Sequence, residues 1–554
     1  MIKKILLFFF LFLGFSFQIS AQVELVPVSN NVYDFLKQMQ VKGVIKEYNS
    51  SYSPVDRRTV FKYLEKINAR KEELSSVDKK ILAEALTEFN PAAVVNDSLA
   101  YSFFNSPSVS NIFDNSRQKY LYMYKDSSVS FYVDGAANAS FRSFEGDSFS
   151  NSIAVGELGL RFRGTLFNHV GYYLRLSNGQ QVYGGYEDRV VAAGYDPKLS
   201  SNVKFINEKY FDSFEGYLRY AADGNWLALT IGREALTYGF GYIDKLFIST
   251  NAAPFDFIKL DLEYKAISYS FMYGSIKGDS LGVSLDSKNV VSNSLNLNFG
   301  RFKFGFFETI IVANRQLSFT YLNPINFLIS ADFSYQKKND NNALCGFNME
   351  IVPFNNLALQ GTLLIDDLDF STLFKDESMR DNKFGLQAGL MWNEFLTLSN
   401  LKFTAEYTKI YPYVYTHRTN KTTYSHWDLS LGHHLPPNSD EIIGKLDYNF
   451  SQRIRMSASF AYQRSADGIV LDSKGTLIRN YGGSLLRGDG DLLFIPEFLA
   501  GYRYDKKTLS FDLYLEPVKQ YYIKVHYSKI LTDVIYLNQN LEDDILYCTV
   551  GVDF

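Results

Sequence analysis

Val129-Ser130-Phe131-Tyr132-Val133-Asp134-Gly135-Ala136-Ala137-Asn138-Ala139-Ser140-Phe141-Arg142 is the stretch from which the fold follows. Apolar or small residues take the odd positions, and polar residues or tyrosine take most of the even ones. A period of two is that of a strand with one dry and one wet face. The next segment repeats it: Ala154, Gly156, Leu158, Leu160, Phe162, Gly164 and Leu166 alternate with Glu157, Arg161, Arg163 and Thr165. A short turn at Asn168-His169 leads into Tyr172, Leu174 and Leu176, and similar runs recur to the C-terminus. Each run covers ~9–11 residues, the length that a tilted strand needs to cross a membrane. Some connections are short and others long, such as 178–212 and 411–423, as in an outer-membrane barrel.

A large soluble β-sandwich or propeller would alternate too. Three features favour the membrane. The alternation runs from about residue 128 to the end without a propeller's blade repeat. Tyrosines and phenylalanines gather near strand ends, where interfacial girdles place amphipathic rings. The last strand sets Leu546, Cys548, Val550, Val552 and Phe554 against Tyr547, Thr549, Gly551 and Asp553. A final strand ending in Phe resembles the signal that such barrels present to their assembly machinery. The expectation is a mostly-β, transmembrane antiparallel barrel of about 16–18 strands, at ~24 residues per strand and loop.

Composition fits this reading. The 554 residues contain 47 Phe and 40 Tyr, yet hydrophobic residues make up only 46%. Lys and Arg total 56 against 60 Asp and Glu, so no basic excess points to nucleic acid. Two cysteines exclude a disulfide framework.

Upstream of the strands, Lys3 and Lys4 precede an apolar run from Ile5 to Phe17, and Ile19-Ser20-Ala21 closes it. This order is that of a signal peptide, here 1–21. Residues 22–100 read as a small periplasmic helical bundle. Val32, Phe35, Leu36 and Met39 share one helical face; Ser53 is read as an N-cap with Pro54 at the first helical position; a third helix spans 76–89. Residues 101–127 are expected to be a linker and 128–554 the barrel. Whether the helices plug the barrel or bind a partner is left open.

Parity also assigns the lumen. Glu157, Arg161, Arg163, Arg175, Glu215, Tyr217 and Arg219 oppose the apolar face and are expected to point inward and pair across strands. A charge on the lipid side would cost roughly 2–4 kcal/mol at mid-membrane. Cys345 and Cys548 fall on the apolar parity.

Several short motifs resemble the Wzi capsule-assembly family. Residues 231–241, Ile-Gly-Arg-Glu-Ala-Leu-Thr-Tyr-Gly-Phe-Gly, are similar to its glycine-arginine segment, and contain Gly232, Arg233, Tyr238, Gly239 and Gly241. Tyr238 and Phe240 stand where members often show Trp and Pro. The stretch 249–255 with Asn251 and Pro254, Tyr321-Leu322-Asn323-Pro324, Leu364-Ile365-Asp366-Asp367 and Glu406-Tyr407-Thr408 also look like that family. The resemblance spans nearly the whole chain after the signal, and the order of the motifs carries it. It implies an outer-membrane barrel that binds and organises capsular or exopolysaccharide at the surface of a Gram-negative-type cell, without catalysis. The alternative is a porin-like diffusion channel.

Candidate glycan-binding groups lie in the predicted extracellular loops. Tyr183, Tyr186, Tyr195, Tyr411, Tyr413 and Tyr415 offer flat rings to sugar faces, and Asp188, Arg189, Arg418 and Asn420 offer polar partners to hydroxyls or acidic sugars. Expected partners are surface polysaccharide, outer-membrane lipid and the barrel assembly machinery, with no nucleic acid and a monomeric barrel. No catalytic constellation emerges: HExxH and Walker motifs are missing from the sequence. Asp366 and Asp367 are adjacent and diverge on a strand, which rules out a glycosidase pair. His433 and His434 likewise diverge on a strand, and in a loop they have only Asp440 and Glu441 nearby in sequence. No cofactor and no metal site is expected.

Overall fold

The computed structural model describes residues 22–554 apart from 92–97, 148, 197–203, 206–208, 278–286, 314–318, 336–340, 369–381, 419 and 489–496. The expected signal peptide lies outside the described residues. Among those described, eighteen long strands close into an antiparallel barrel. The first, Val129–Gly146, pairs with the last, Gln539–Asp553, from Ala136 opposite Asp553 to Gly146 opposite Asp543. Closure leaves no open sheet edge, which is the condition for strands to cross a lipid bilayer.

Period two decides the two faces, as the sequence predicts. Leu158, Leu160, Leu229, Ile231, Phe347, Met349, Phe511 and Val550 form an exposed apolar outer belt. The described helices include none long and apolar enough to cross a membrane. The chain occupies the outer membrane through its strands. Inside, the predicted charges pair. Arg175 bridges Glu157 at 3.2 Å and Glu215 at 3.4 Å, Arg163 meets Asp134 at 2.7 Å, and Arg219 meets Asp261 at 3.3 Å.

The N-terminal helices are α1 (Val32–Val41), α2 (Arg57–Asn68) and α3 (Ser76–Phe89). Their apolar stripes meet in one core containing Phe35, Leu36, Met39, Val60, Leu64, Ile67, Leu82 and Phe89. The start of α2 differs from the sequence reading. Asp56, not Ser53, is its N-cap, accepting from the Thr59 amide at 2.9 Å, while Ser53 belongs to a two-residue strand. A carboxylate at the cap also complements the helix dipole, and this outcompetes the Ser-Pro start. Residues 101–127 are more than the expected linker: Gln118–Tyr120 pairs with Ala100–Ser102, and Tyr122–Lys125 adds to the first barrel strand. The alternation of Tyr122, Met123 and Tyr124 is too short to read as a strand by itself.

This helical segment docks at the barrel end that bears the short turns. Ser75 donates to Asn400 at 2.7 Å, Lys42 pairs with Glu394 at 3.1 Å, and Arg453 reaches Glu84 at 3.0 Å. That end is periplasmic, and the long connections 184–209, 235–254, 411–438 and 468–501 emerge from the other. Of the long loops expected from sequence, 178–212 is trimmed at both ends, because the strands Val170–Tyr183 and Tyr210–Ala221 continue into it, and 411–423 extends to 438.

Candidate functional site

The barrel is not an open tube. From below, α1 enters the lumen, where Lys37 and Gln40 both reach Glu350 on the strand Asn342–Phe354. Lys303 and Tyr242 donate to the same carboxylate, so one buried Glu350 ties helix, wall and loop together. From above, the connection 235–254 folds inward. Tyr238 lies opposite Tyr52 in a two-stranded ladder, and the Gly239 amide donates to the Ser51 carbonyl at 2.7 Å.

A second wall carboxylate holds that loop. Glu406 accepts from the backbone amides of Tyr242 at 2.7 Å, Ile243 at 3.2 Å and Asp244 at 3.3 Å. Three successive amides converging on one anion form a backbone nest. Gly241 is required for it, since a Cβ there would sit 1.7 Å from the Asp244 carbonyl oxygen. Beyond the nest, Phe247 stacks on Phe307 with ring centres 4.8 Å apart. Tyr415 donates to the Leu246 carbonyl at 2.6 Å, and Tyr424 donates to that of Phe247 at 2.9 Å. Together with Leu236, Ile248, Val414, Leu431 and Leu435 they build an apolar core within the upper lumen.

This core corrects part of the sequence reading. Tyr413 and Tyr415 are completely buried, and so are not surface platforms for sugar. Tyr413 donates to the Asn480 carbonyl, and the Tyr415 amide donates to Asp366 at 2.6 Å. Their loop folds into the barrel because the upper wall turns apolar side chains inward, such as Leu344 and Leu364. Asp366 and Asp367 diverge, with Asp367 paired to Lys383 at 2.6 Å.

His433 and His434 lie in a loop and do converge, but on a partner that spacing does not reveal. His434 Nδ1 is 2.9 Å from Asp244 and its Nε2 is 3.6 Å from Glu441, while Asp440 pairs with Arg464. Ligand-capable atoms of Asp244, His433 and His434 lie within 4.8 Å of one another. His434 forms an ion pair with Asp244, and the His433 ring stacks on His434 at 4.4 Å and 27°. His433 Nδ1 already accepts from the Leu435 amide at 3.2 Å. Burial lowers the pKa of His433 to about 4. Burial alone would also lower that of His434, but the hydrogen bonds to Asp244 and Glu441 outweigh it and raise the value to about 10. Asp244, despite its burial, is held well below the usual carboxylate range by the two imidazoles.

At the extracellular mouth, α4 (Tyr186–Tyr195) lies over inward-facing Phe144, Ile153, Val155 and Phe211. Tyr195 stacks on Phe144 at 5.4 Å, and Arg142 pairs with Asp196 at 2.6 Å. Asp188 is used structurally, accepting from the Gly185 amide at 2.6 Å and from Asn151 at 2.7 Å. Arg189 lies over the Tyr186 ring at 5.2 Å. Tyr183 and Tyr186 are 61% and 66% exposed. Arg418 is exposed as well, whereas Tyr411 is half-buried, edge-on to Phe498 at 6.0 Å, with Lys409 over its ring at 4.6 Å. The side chain of Asn420 lies outside the described residues. The structure therefore brings Tyr186 and Arg189 together, leaves Tyr183 exposed at the end of its strand, and places Tyr411 on another part of the rim.

The motif residues mostly serve architecture. Gly232 has φ of +147° and packs where a Cβ would meet the Gly216 carbonyl oxygen at 2.2 Å. Arg233 pairs with Asp256 at 2.6 Å. Asn251 ties its loop to the Ser430 carbonyl at 3.1 Å, and half-buried Pro254 precedes the strand Phe255–Tyr264. Asn323 accepts from the Ile325 amide at 3.1 Å, and the Pro324 carbonyl accepts from Tyr269.

The solved structure of Wzi, an outer-membrane protein involved in group 1 capsule assembly in Escherichia coli and described as a carbohydrate-binding β-barrel, is similar in fold. It aligns over 96% of this chain and 99% of its own, at 12% identity and a TM-score of 0.57. OccK2 (OpdF) of Pseudomonas aeruginosa covers 76% of this chain and 98% of its own at 9% identity, with a TM-score of 0.43. OccAB3 of Acinetobacter baumannii covers 76% and 99% at 10% identity, with a TM-score of 0.42. No curated protein matches the sequence. The family described as capsule assembly protein Wzi matches residues 120–520, well over half of the chain, and this protein belongs to that family.

Proposed function

We propose that this protein is a non-enzymatic outer-membrane barrel that binds capsular or exopolysaccharide at the cell surface and organises it there. The observation that carries this reading is the doubly filled lumen. Helix α1 enters from the periplasm, the loop 235–254 enters from outside, and the segment after α1 meets that loop where Tyr52 pairs with Tyr238. Both insertions occupy the lumen among the described residues, so the polysaccharide contacts are assigned to the outer mouth. There Tyr183 and Tyr186 offer exposed rings, and Arg189 offers a cation beside Tyr186 for acidic sugars. The carbohydrate binding described for the Escherichia coli relative supports the same ligand class. The test is binding of the purified full-length barrel to its own cell's surface polysaccharide. Saturable binding is expected, together with loss of that polysaccharide to the medium when the gene is deleted. Unchanged surface retention after deletion would overturn the proposal.

A further inference from the structure

The segment 319–335 lies on the outside of the barrel, not over its mouth. It consists of the short helix Phe319–Leu322, a turn through Asn323-Pro324, and α5 (Leu328–Tyr335). Its packing partners settle its place. Phe271, Val291, Ile310 and Val312 bury Tyr321 and Leu328, and Phe306 stacks on Phe327 at 6.1 Å. All these wall residues have the outward parity. On the strand Phe302–Ala313, Lys303 points into the lumen to Glu350, whereas Phe302, Phe304 and Phe306 alternate with it.

Glu308 shares that outward parity and sits about midway along its strand, the worst place for an ionised group facing acyl chains. The segment resolves this. Glu308 accepts from the Leu328 amide at 3.1 Å on each oxygen, so it caps the start of α5. Asn293, also outward, donates to Glu308 at 2.8 Å and to the Asn326 carbonyl at 2.9 Å. The Tyr269 hydroxyl lies 2.9 Å from the Asn293 amide oxygen and also within reach of the Pro324 carbonyl. Three polar residues on the lipid face thus form a latch whose hydrogen bonds are completed by the segment. The segment's own outer face is apolar: Phe319 and Ile325 are each 90% exposed. It continues the lipid-facing belt of Ile258, Ile267, Leu295 and Phe347 around it.

We propose that residues 319–335 form a membrane-embedded latch, with Phe319, Ile325 and Phe327 contacting the acyl chains of the outer leaflet and Glu308 holding the latch to the wall. Its partner is lipid hydrocarbon, and an aqueous setting or a protein partner would be the competing outcomes.

The test uses the full chain in liposomes, with both native cysteines, Cys345 and Cys548, replaced by alanine. A nitroxide is attached at Ile325→Cys, and collision rates with oxygen and with a water-soluble nickel chelate are compared. Oxygen is expected to dominate several-fold at 325 and nickel at a Tyr183→Cys control. Nickel access at 325 equal to that at 183 would overturn the proposal, as would protection from both reagents, which would indicate a covering protein surface. Glu308→Ala is expected to mobilise the label while the barrel keeps its resistance to unfolding in detergent, with Glu308→Gln intermediate. An immobile label in a folded Glu308→Ala barrel would overturn the latch. If Glu308→Ala does not fold, Asn293→Ala gives the same readout.

Discussion

Tyr52 and Tyr238 stand opposite each other in an antiparallel ladder, although one belongs to the N-terminal helical segment and the other to a connection between transmembrane strands. This pairing joins the periplasmic and extracellular halves of the plug into one body. Deleting a single contact is therefore not expected to open the barrel. The whole chain should give a steady closed trace in planar bilayers, while removal of residues 235–254 together with 22–90 should give ion conductance. Conductance of the intact protein would contradict the filled lumen.

Glu350 is the anion shared by Lys37, Lys303, Gln40 and Tyr242. Glu350→Ala leaves two buried ammonium groups uncompensated, a loss of about 3–5 kcal/mol in comparable cases. The expected result is an N-terminal segment cleaved by trypsin within minutes, while the detergent-resistant barrel persists. Equal protease resistance in variant and parent would count against this tether.

Gly241→Ala brings a methyl group against the Asp244 carbonyl, so the nest on Glu406 cannot close unchanged. The plug should loosen locally. Faster hydrogen exchange at the amides of Tyr242, Ile243 and Asp244 would show it, with strand amides unchanged.

The histidine pair predicts opposite pH responses. His434, raised to about 10, binds its proton more tightly in the folded state, so its contribution is complete below the ordinary ~6.5 and disappears as pH rises through about 10. His433, lowered to about 4, contributes fully above ~6.5 and loses this as pH falls through about 4. Carbon-13 spectra of labelled histidine, with two of the six signals assigned through His433→Gln and His434→Gln, should show an imidazolium at 434 and a neutral ring at 433 at neutral pH. Two rings titrating together near 6.5 would refute the arrangement.

At the mouth, Tyr186→Ala and Arg189→Ala should each weaken polysaccharide binding about ten-fold, equivalent to ~1.4 kcal/mol, with the melting temperature unchanged. Tyr415→Ala should do the reverse, destabilising the plug through a lost hydrogen bond and a cavity. Its effect on the initial binding rate should be small.

The barrel was legible from Val129–Arg142 onward because a strand's two faces meet different solvents, and the alternation is written directly into the chain. The same parity turned Glu157, Arg175 and Glu215 inward, where Arg175 bridges the two carboxylates. The helices were legible from their stripes, apart from the Asp56 cap. Parity said nothing of where the connections go. Tyr413 and Tyr415 looked like loop aromatics because an inward-folded loop and a solvent-exposed one have the same composition.

Asp244 and His434 are 190 residues apart, and no local signal links them. Glu308 breaks the apolar parity of its strand, and its reason appears only when α5 lies across it. Periodicity is a local property, so the chain alone specified the barrel, its lipid face and its charged lining. The plug, the histidine pair and the outer latch depend on contacts between distant segments, and only the closed three-dimensional wall brings those segments together.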